Sequence, residues 1–476
     1  MRTLRDTITV LFLLIFSTAS FAEGLHLRHF VGGMTRSLEM NGKYWYQGVG
    51  DRLYILQKNS GKKLFEIQLS STRGAAVCTD LIVHDETLWA LLDGEEVVEL
   101  SLSETGMPTI VSRLTARDFG IIPRRLAVIS DWPVVFGEGG AVRLSDQRKI
   151  VSFDGSVTAV ALSLDRGIVY AADRRMYDGG TDEFLGSATL LAELDQRAKA
   201  EIGTLVFTRD LGDRTEVGLM TPEGRDVDAF QGTVTLGGGN ASLKTQGSRV
   251  HICTDLGVYI LSITPRKLQL LKTIDLAGAK DVGVIGENYL AICGDQGREI
   301  YRLSDDRGGK GDTHMRSVSA TSMMSRGSAD RLGIDIPTEA GIMRYNYDGA
   351  IDTSAASSVL PDPNPTEMIV LGWSTALDDV TGEMVIRDAV GEVVEGLGVG
   401  GSPTVVSISG NFWFGTEDGI VVCGPDATGT MKVLGSIPLA GPIVQLVPQF
   451  DGSAAFVSEA GFVGVVTPTY DVALEQ

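Results

Sequence analysis

One short unit recurs along this 476-residue chain and constrains its fold more than any other feature. It is an apolar strand, an acidic turn closing on glycine, and a second apolar strand. Asn411 to Cys423, Val250 to Leu261, Leu290 to Leu303, Ile334 to Tyr345, Ala454 to Val466, Val134 to Leu144 and Leu88 to Leu100 all read this way. Aromatic and β-branched residues before the turn suit a pleated, half-buried surface. Asp or Glu followed closely by Gly suits a hairpin, because glycine accepts positive φ without steric cost. An isolated hairpin is at best marginally stable, so these units must share a core with one another. They return roughly every 35–45 residues, near the period of a four-stranded propeller blade.

The remaining strands of such a blade can be found. Pro403 to Ile408 precedes the Asn411 hairpin as a candidate innermost strand, and Met431 to Ile437 follows as an outermost one. The pattern repeats with Ile443 to Val447, the Ala454 hairpin, and Tyr470 to Leu474. The expected fold is therefore all-β: a β-propeller of four-stranded antiparallel blades. A β-helix would need shorter rungs, and stacked sandwiches would not explain one hairpin signature at near-constant spacing. About ten blade-like units exceed the usual four to eight of one ring. Two rings, one large ring, or hairpins sharing a blade remain open. The segment Leu205 to Leu243, with Gly237-Gly238-Gly239-Asn240, is the least regular; Asp305 to Ser328 reads as an excursion from the repeat, and Pro361 to Pro365 as a stiff connector.

The hairpins of the Gly415-Thr416-Glu417-Asp418-Gly419 type resemble the propeller repeats of bacterial two-component sensor ectodomains. Tyr54 to Phe65 and Ala376 to Val385 resemble quinoprotein-like repeats. In that family the turn ends at a tryptophan that docks neighbouring blades; here those places hold Phe65 and Val385. The resemblance spans most of the chain, is architectural, and implies an exported propeller rather than one chemistry.

Residues 1–22 are expected to be a signal peptide. Arg2 and Arg5 precede the apolar run Ile8 to Phe16, and Ser20 and Ala22 supply small residues for cleavage after Ala22. The run is too short to span a bilayer about 30 Å thick. The mature chain, 23–476, is then expected in the periplasm or outside the cell, with no transmembrane helix. A net charge of -20 argues against nucleic acid as a partner, since phosphate backbones would be repelled. Cys78, Cys253, Cys293 and Cys423 show no metal-ligand spacing and read as small buried apolar residues.

No residue set commits the chain to a chemistry, and no catalytic, cofactor-binding or metal-binding residue is assigned. His26 and His29 lie three apart, on opposite faces of a strand. His251 and Cys253 share a strand face and could make a weak metal site, though a hydrogen-bonded strand histidine is the plainer reading; His84 and His314 stand apart. The recurring acids Glu417, Asp418, Glu339, Asp255, Asp295 and Glu459 are expected to be turn chemistry. Asp178 to Glu183 is acidic enough for weak calcium binding. Trp45, Trp89 and Trp413 precede hairpin turns and fit packing between sheets; Trp132 and Trp373 are less regular. The function expected is a scaffold for another exported or envelope protein or a ligand, with Asp305 to Ser328 and Arg174 to Phe184 as candidate binding loops. The alternative is an enzyme with its site on the channel axis, of quinone-dependent dehydrogenase, lyase or glycosidase type. Inward-facing charges would favour that alternative.

Overall fold

The computed structural model describes residues 22–470, apart from short stretches of which 195–204, 221–233, 303–312, 353–367 and 395–403 are the longest. Residues 1–21 of the expected signal peptide 1–22, and Pro361 to Pro365, expected to be a connector, lie outside the described residues. The architecture is all-β, in antiparallel sheets mostly of four strands. The single helix among the described residues is one turn, Ala116–Phe119. None of the described helices is long and apolar enough to cross a membrane.

The chain divides into two compact units, Gly32–Met323 and a second made of Met1–Val31 with Met324–Gln476. In the first unit, five four-stranded sheets accompany one of six strands. The six-stranded sheet arises because Lys149–Ser163 serves twice. Its beginning pairs with Trp132–Arg143 and its end with Gly167–Ala172. It thus closes one sheet of three strands and opens the next sheet of four.

Counted this way, the unit has seven sheets, opening on Ser37–Met40, Cys78–His84, Ile122–Ile129, the latter half of Lys149–Ser163, Leu190–Glu193, Asn240–Gln246 and Ala279–Ile285. Each opening strand neighbours the next, and Ala279–Ile285 neighbours Ser37–Met40, so the adjacency is cyclic. The core follows the same order. Tyr46 and Leu53 pack with Leu81 and Leu88 between the first and second sheets. Ile82 and Trp89 meet Leu126 and Val135 at the next seam. Four similar clusters follow. Leu38 and Trp45 then pack against Ala291 and Cys293, joining first sheet to last. Apolar residues at alternate positions give every sheet two buried faces, one for each neighbour.

In the second unit, Ile334 and Tyr345 pack against Ala455 and Val463, and Met384 and Ile386 against Val405 and Phe412. The last sheet orders as Ala22–Gly32, Phe462–Tyr470, Ala454–Ser458, Ile443–Pro448. Its outermost strand is therefore the N-terminal one. Tyr470 to Leu474 was expected in that place, but Phe462–Tyr470 is the third strand and its free edge is taken by the start of the chain.

Other expectations also need correction. Val134 to Leu144 is no hairpin but part of one strand, Trp132–Arg143. Gly139 and Gly140, at φ +95° and +132°, form a bulge in it. A Cβ on Gly140 would meet the Val151 carbonyl at 2.1 Å, so this glycine permits close approach of two strands rather than a turn. The segment Leu205 to Leu243, expected to be irregular, holds the strands Leu205–Asp210, Arg214–Met220 and Val234–Gly237 of one sheet, with 221–233 outside the described residues. Asp305 to Ser328 contains Thr313–Val318, the outer strand of its sheet, while 305–312 and 319–325 lie outside the described residues.

The outer strands share a device of their own. Register shifts by one residue between Lys63 and Phe65, Ile110 and Ser112, Leu270 and Lys272, His314 and Arg316, and Val433 and Gly435. A bulge at each free edge bends a strand that would otherwise template pairing with another chain.

Candidate functional site

The opening strands of the first unit carry bulges too. Register shifts between Cys78 and Asp80, Pro123 and Arg125, Val157 and Ala159, Asn240 and Ser242, and Ala279 and Asp281. In a regular strand consecutive side chains face opposite ways; a bulge re-aims one of them. A cavity of about 700 Å³ lies at this level, and Thr79 with Asp80, Arg124 with Arg125, and Lys280 with Asp281 all line it. It draws on the opening strands of all seven sheets.

Two aspartates of this wall do the same job. Asp80 Oδ1 accepts the N–H of Leu81 at 2.9 Å, and its Oδ2 accepts that of Leu126, in the next sheet, at 2.8 Å. Asp281 Oδ1 accepts Val282 N–H at 2.8 Å and its Oδ2 accepts Leu38 N–H, across the seam, at 3.0 Å. The second unit repeats the device with an amide: Gln445 accepts from Gly327 N–H at 2.9 Å and donates to its carbonyl at 3.1 Å. Glu193 Oε1 receives Leu162 N–H at 2.9 Å and Ser130 N–H at 3.1 Å. Each bond satisfies a backbone donor that the bulge or the seam leaves outside a ladder.

Lys244 gathers three opening strands. Its Nζ donates to the Leu38 carbonyl at 2.9 Å and to Asp281 Oδ2 at 3.2 Å, and lies 3.6 Å from Glu39 Oε2. Burial alone would push the ammonium down, but Asp281, Glu39 and Asp80 hold it above its ordinary value. Burial pushes the Glu39 carboxyl up against the pull of Lys244. Asp80 is pushed up to about 6 by burial, with Arg125 opposing.

The residues singled out from sequence lie elsewhere. His26 and His29 are on the strand Ala22–Gly32 and His314 on Thr313–Val318. His84 stands 3.4 Å from Asp85 in a separate groove of about 550 Å³. Glu417, Asp418 and Asp255 sit on exposed turns, whereas Glu339 and Asp295 fall outside the described residues. Asp178 Oδ1 caps its own turn through the N–H groups of Gly180 and Thr181 at 2.8 and 3.1 Å, and Asp182 accepts from Tyr170. Trp45, Trp89 and Trp413 are buried, while Trp132 is partly exposed beneath Arg143. Phe65, at the place of the quinoprotein docking tryptophan, is 52% exposed on an outer strand.

His251 and Cys253 are both buried. The His251 imidazole hydrogen-bonds the Lys244 backbone, and burial pulls it down to about 4. The unfolded chain takes up this proton near pH 6.5 and the folded one only near pH 4. Stability from this site is therefore complete above pH 6.5 and falls as pH drops towards 4, by about 3 kcal/mol. Asp80 acts in the opposite sense: its folded form binds a proton first, so stability rises by a similar amount as pH falls from 6 to 4. His251→Gln is expected to reveal this rise, measured as urea-unfolding midpoint against pH.

All four cysteines are buried and unbridged. Burial pushes Cys78 and Cys423 up to about 12 and raises Cys253 and Cys293 too. The native protein is expected to resist a thiol-reactive chromophore at pH 8 and to release four equivalents only on unfolding.

Sequence reading missed the cavity wall. The signal was present as a polar residue set before an apolar run: Thr79-Asp80-Leu81-Ile82-Val83 and Lys280-Asp281-Val282-Gly283-Val284.

No protein-family description matches the chain, and a search of curated proteins returns no relative. Similar solved structures include PorZ, an essential surface component of the type-IX secretion system of Porphyromonas gingivalis, at 11% identity and TM-score 0.43, covering 91% of this chain and 81% of that one. A chain of a mitotic checkpoint complex is similar at 12% identity and TM-score 0.45, over 59% of this chain and 95% of that one. A chain of the complex of KlAtg21 with the AgAtg16 coiled coil follows at 9% identity and TM-score 0.42, over 61% and 100%.

Proposed function

We propose that Gly32–Met323 is a seven-bladed β-propeller and that the exported chain is a binding scaffold whose site is the axial cavity. The observation that carries this reading is the cyclic adjacency of the seven opening strands around a cavity lined by their charged side chains. A rigid ring of sheets holding a few polar groups towards one concavity is the usual form of a ligand site. The burial of all four thiols and of His251 leaves those groups unsuited to nucleophilic or acid–base work at neutral pH. The scaffold would act in the periplasm or outside the cell.

The inward-facing charges of the cavity favour the enzymatic alternative, as the sequence expectation has it, and Asp80 is its best candidate. Asp80 is pushed up to about 6, within the range useful for proton transfer. Both its oxygens already accept backbone N–H groups, which fits a wall-building role better.

The test is a thermal-shift panel of organic acids, sugars and amines on the mature chain and on Arg125→Gln/Lys280→Gln. A compound that shifts the wild type and not the variant supports the axial site. Equal shifts in both proteins would remove it.

A further inference from the structure

We infer that the axial cavity selects a small multivalent oxyanion, one bearing carboxylate or phosphoryl groups; this rests on the cavity being the binding site. Arg36, Arg124, Arg125, Lys244 and Lys280 line it, against Glu39, Asp80, Glu193 and Asp281. The count favours the cations by one, and the way the groups are used favours them further. Asp80 and Asp281 each receive two backbone N–H groups, Glu193 receives two on Oε1, and Glu39 Oε1 receives Met40 N–H at 3.0 Å. These oxygens accept bonds from the wall itself, and Lys244 is shared between Glu39 and Asp281.

The arginines differ in kind. A guanidinium carries five N–H donors, so one that serves a wall partner still presents others. Arg124 shows this arithmetic: Glu138 takes bonds from Nε and Nη2 at 3.2 and 2.7 Å through a single oxygen. Arg124 and Lys280 are the bulged residues of their strands, beside Arg125 and Asp281. The bulges therefore bring a basic residue to the wall twice, from two sheets. Basic donors from separate strands, the Arg125 guanidinium fork among them, match an anion with several oxygens better than a cation or a neutral sugar. The chain's charge of -20 makes such a basic wall a local exception.

The experiment is isothermal titration of the full mature chain at low salt with citrate, inorganic phosphate and, for contrast, spermidine and glucose. Citrate or phosphate is expected to bind, and whichever binds tighter assigns the carboxylate or the phosphoryl source. Arg125→Gln/Lys280→Gln is expected to lose at least about tenfold in affinity, since each charge-assisted hydrogen bond contributes roughly that factor. Arg125→Lys/Lys280→Arg, which keeps both charges and guards against misfolding, should retain most of it. Arg143→Gln, outside the cavity, should change nothing. No binding of either anion, or binding indifferent to the Gln pair, overturns the inference. Spermidine or glucose binding that is lost in the Gln pair would keep the site and discard the anion. No variant effect on any compound would discard both.

Discussion

Asp281→Ala is expected to destabilise the first unit by about 3–5 kcal/mol. The substitution strips the Leu38 N–H of its acceptor across the seam and removes the closer carboxylate partner of Lys244. Both losses fall where the last sheet meets the first, beside Trp45, Ala291 and Cys293. The half-buried Lys244 ammonium would keep only Glu39 and the Leu38 carbonyl, and this loss together with the orphaned Leu38 N–H makes the deletion costly. Lys244→Met on the same background should therefore recover part of the loss, a coupling that independent sites would not show. Urea unfolding followed by tryptophan fluorescence measures it, since Trp45 sits in the affected seam.

Gly419→Ala and Gly257→Ala are each expected to cost about 3 kcal/mol or more. Both glycines close an acidic turn, at φ +137° and +152°. A Cβ would meet the Ile437 carbonyl at 2.1 Å in one and the Ile274 carbonyl at 2.2 Å in the other. The neighbouring outer strand would have to move in each case. The acids beside them matter far less. Asp418→Ala is expected to change stability by under about 0.5 kcal/mol, because the side chain is solvent-exposed and the turn is held by Thr416. Thr416 Oγ1 donates to the Gly419 carbonyl at 3.0 Å and accepts Asp418 N–H at 3.2 Å. Thr254 makes the same pair with Gly257 and Leu256. Chemical denaturation of the three variants beside wild type gives the ranking directly.

That ranking also marks what was legible in the sequence. Strand, turn and strand could be read because apolar alternation and glycine are local properties. Asn411–Gly415 and Gly419–Pro425 fall where the pattern put them. Of the recurring turn acids, Glu417, Asp418 and Asp255 are exposed where turns were expected, Glu459 is half-buried, and Glu339 and Asp295 lie outside the described residues. Why glycine was needed was not legible, because the carbonyl it avoids belongs to a strand some 18 residues onward, Ile274 for Gly257 and Ile437 for Gly419. For the same reason Gly139 and Gly140 looked like a hairpin turn when they are a bulge in one long strand.

The candidate site was less legible still. Asp80 and Leu126 are 46 positions apart, and Leu38 and Asp281 are 243 apart. No window of sequence contains both partners of either bond. A one-residue bulge has no composition of its own, so nothing announced that Arg124 or Lys280 would turn towards the cavity. The N-terminal strand was hidden for a related reason: its partner, Phe462–Tyr470, lies at the far end of the chain.

In the proposed scaffold, strands remote in sequence converge on one binding cavity. Hydrogen–deuterium exchange of the mature chain, with and without the compound giving the largest thermal shift, tests this convergence most directly. Added protection is expected together in Ser37–Met40, Cys78–His84, Ile122–Ile129, Asn240–Gln246 and Ala279–Ile285. Protection confined to outer strands such as Lys63–Gln68 and Pro108–Thr115, with the five opening strands unchanged, would contradict it.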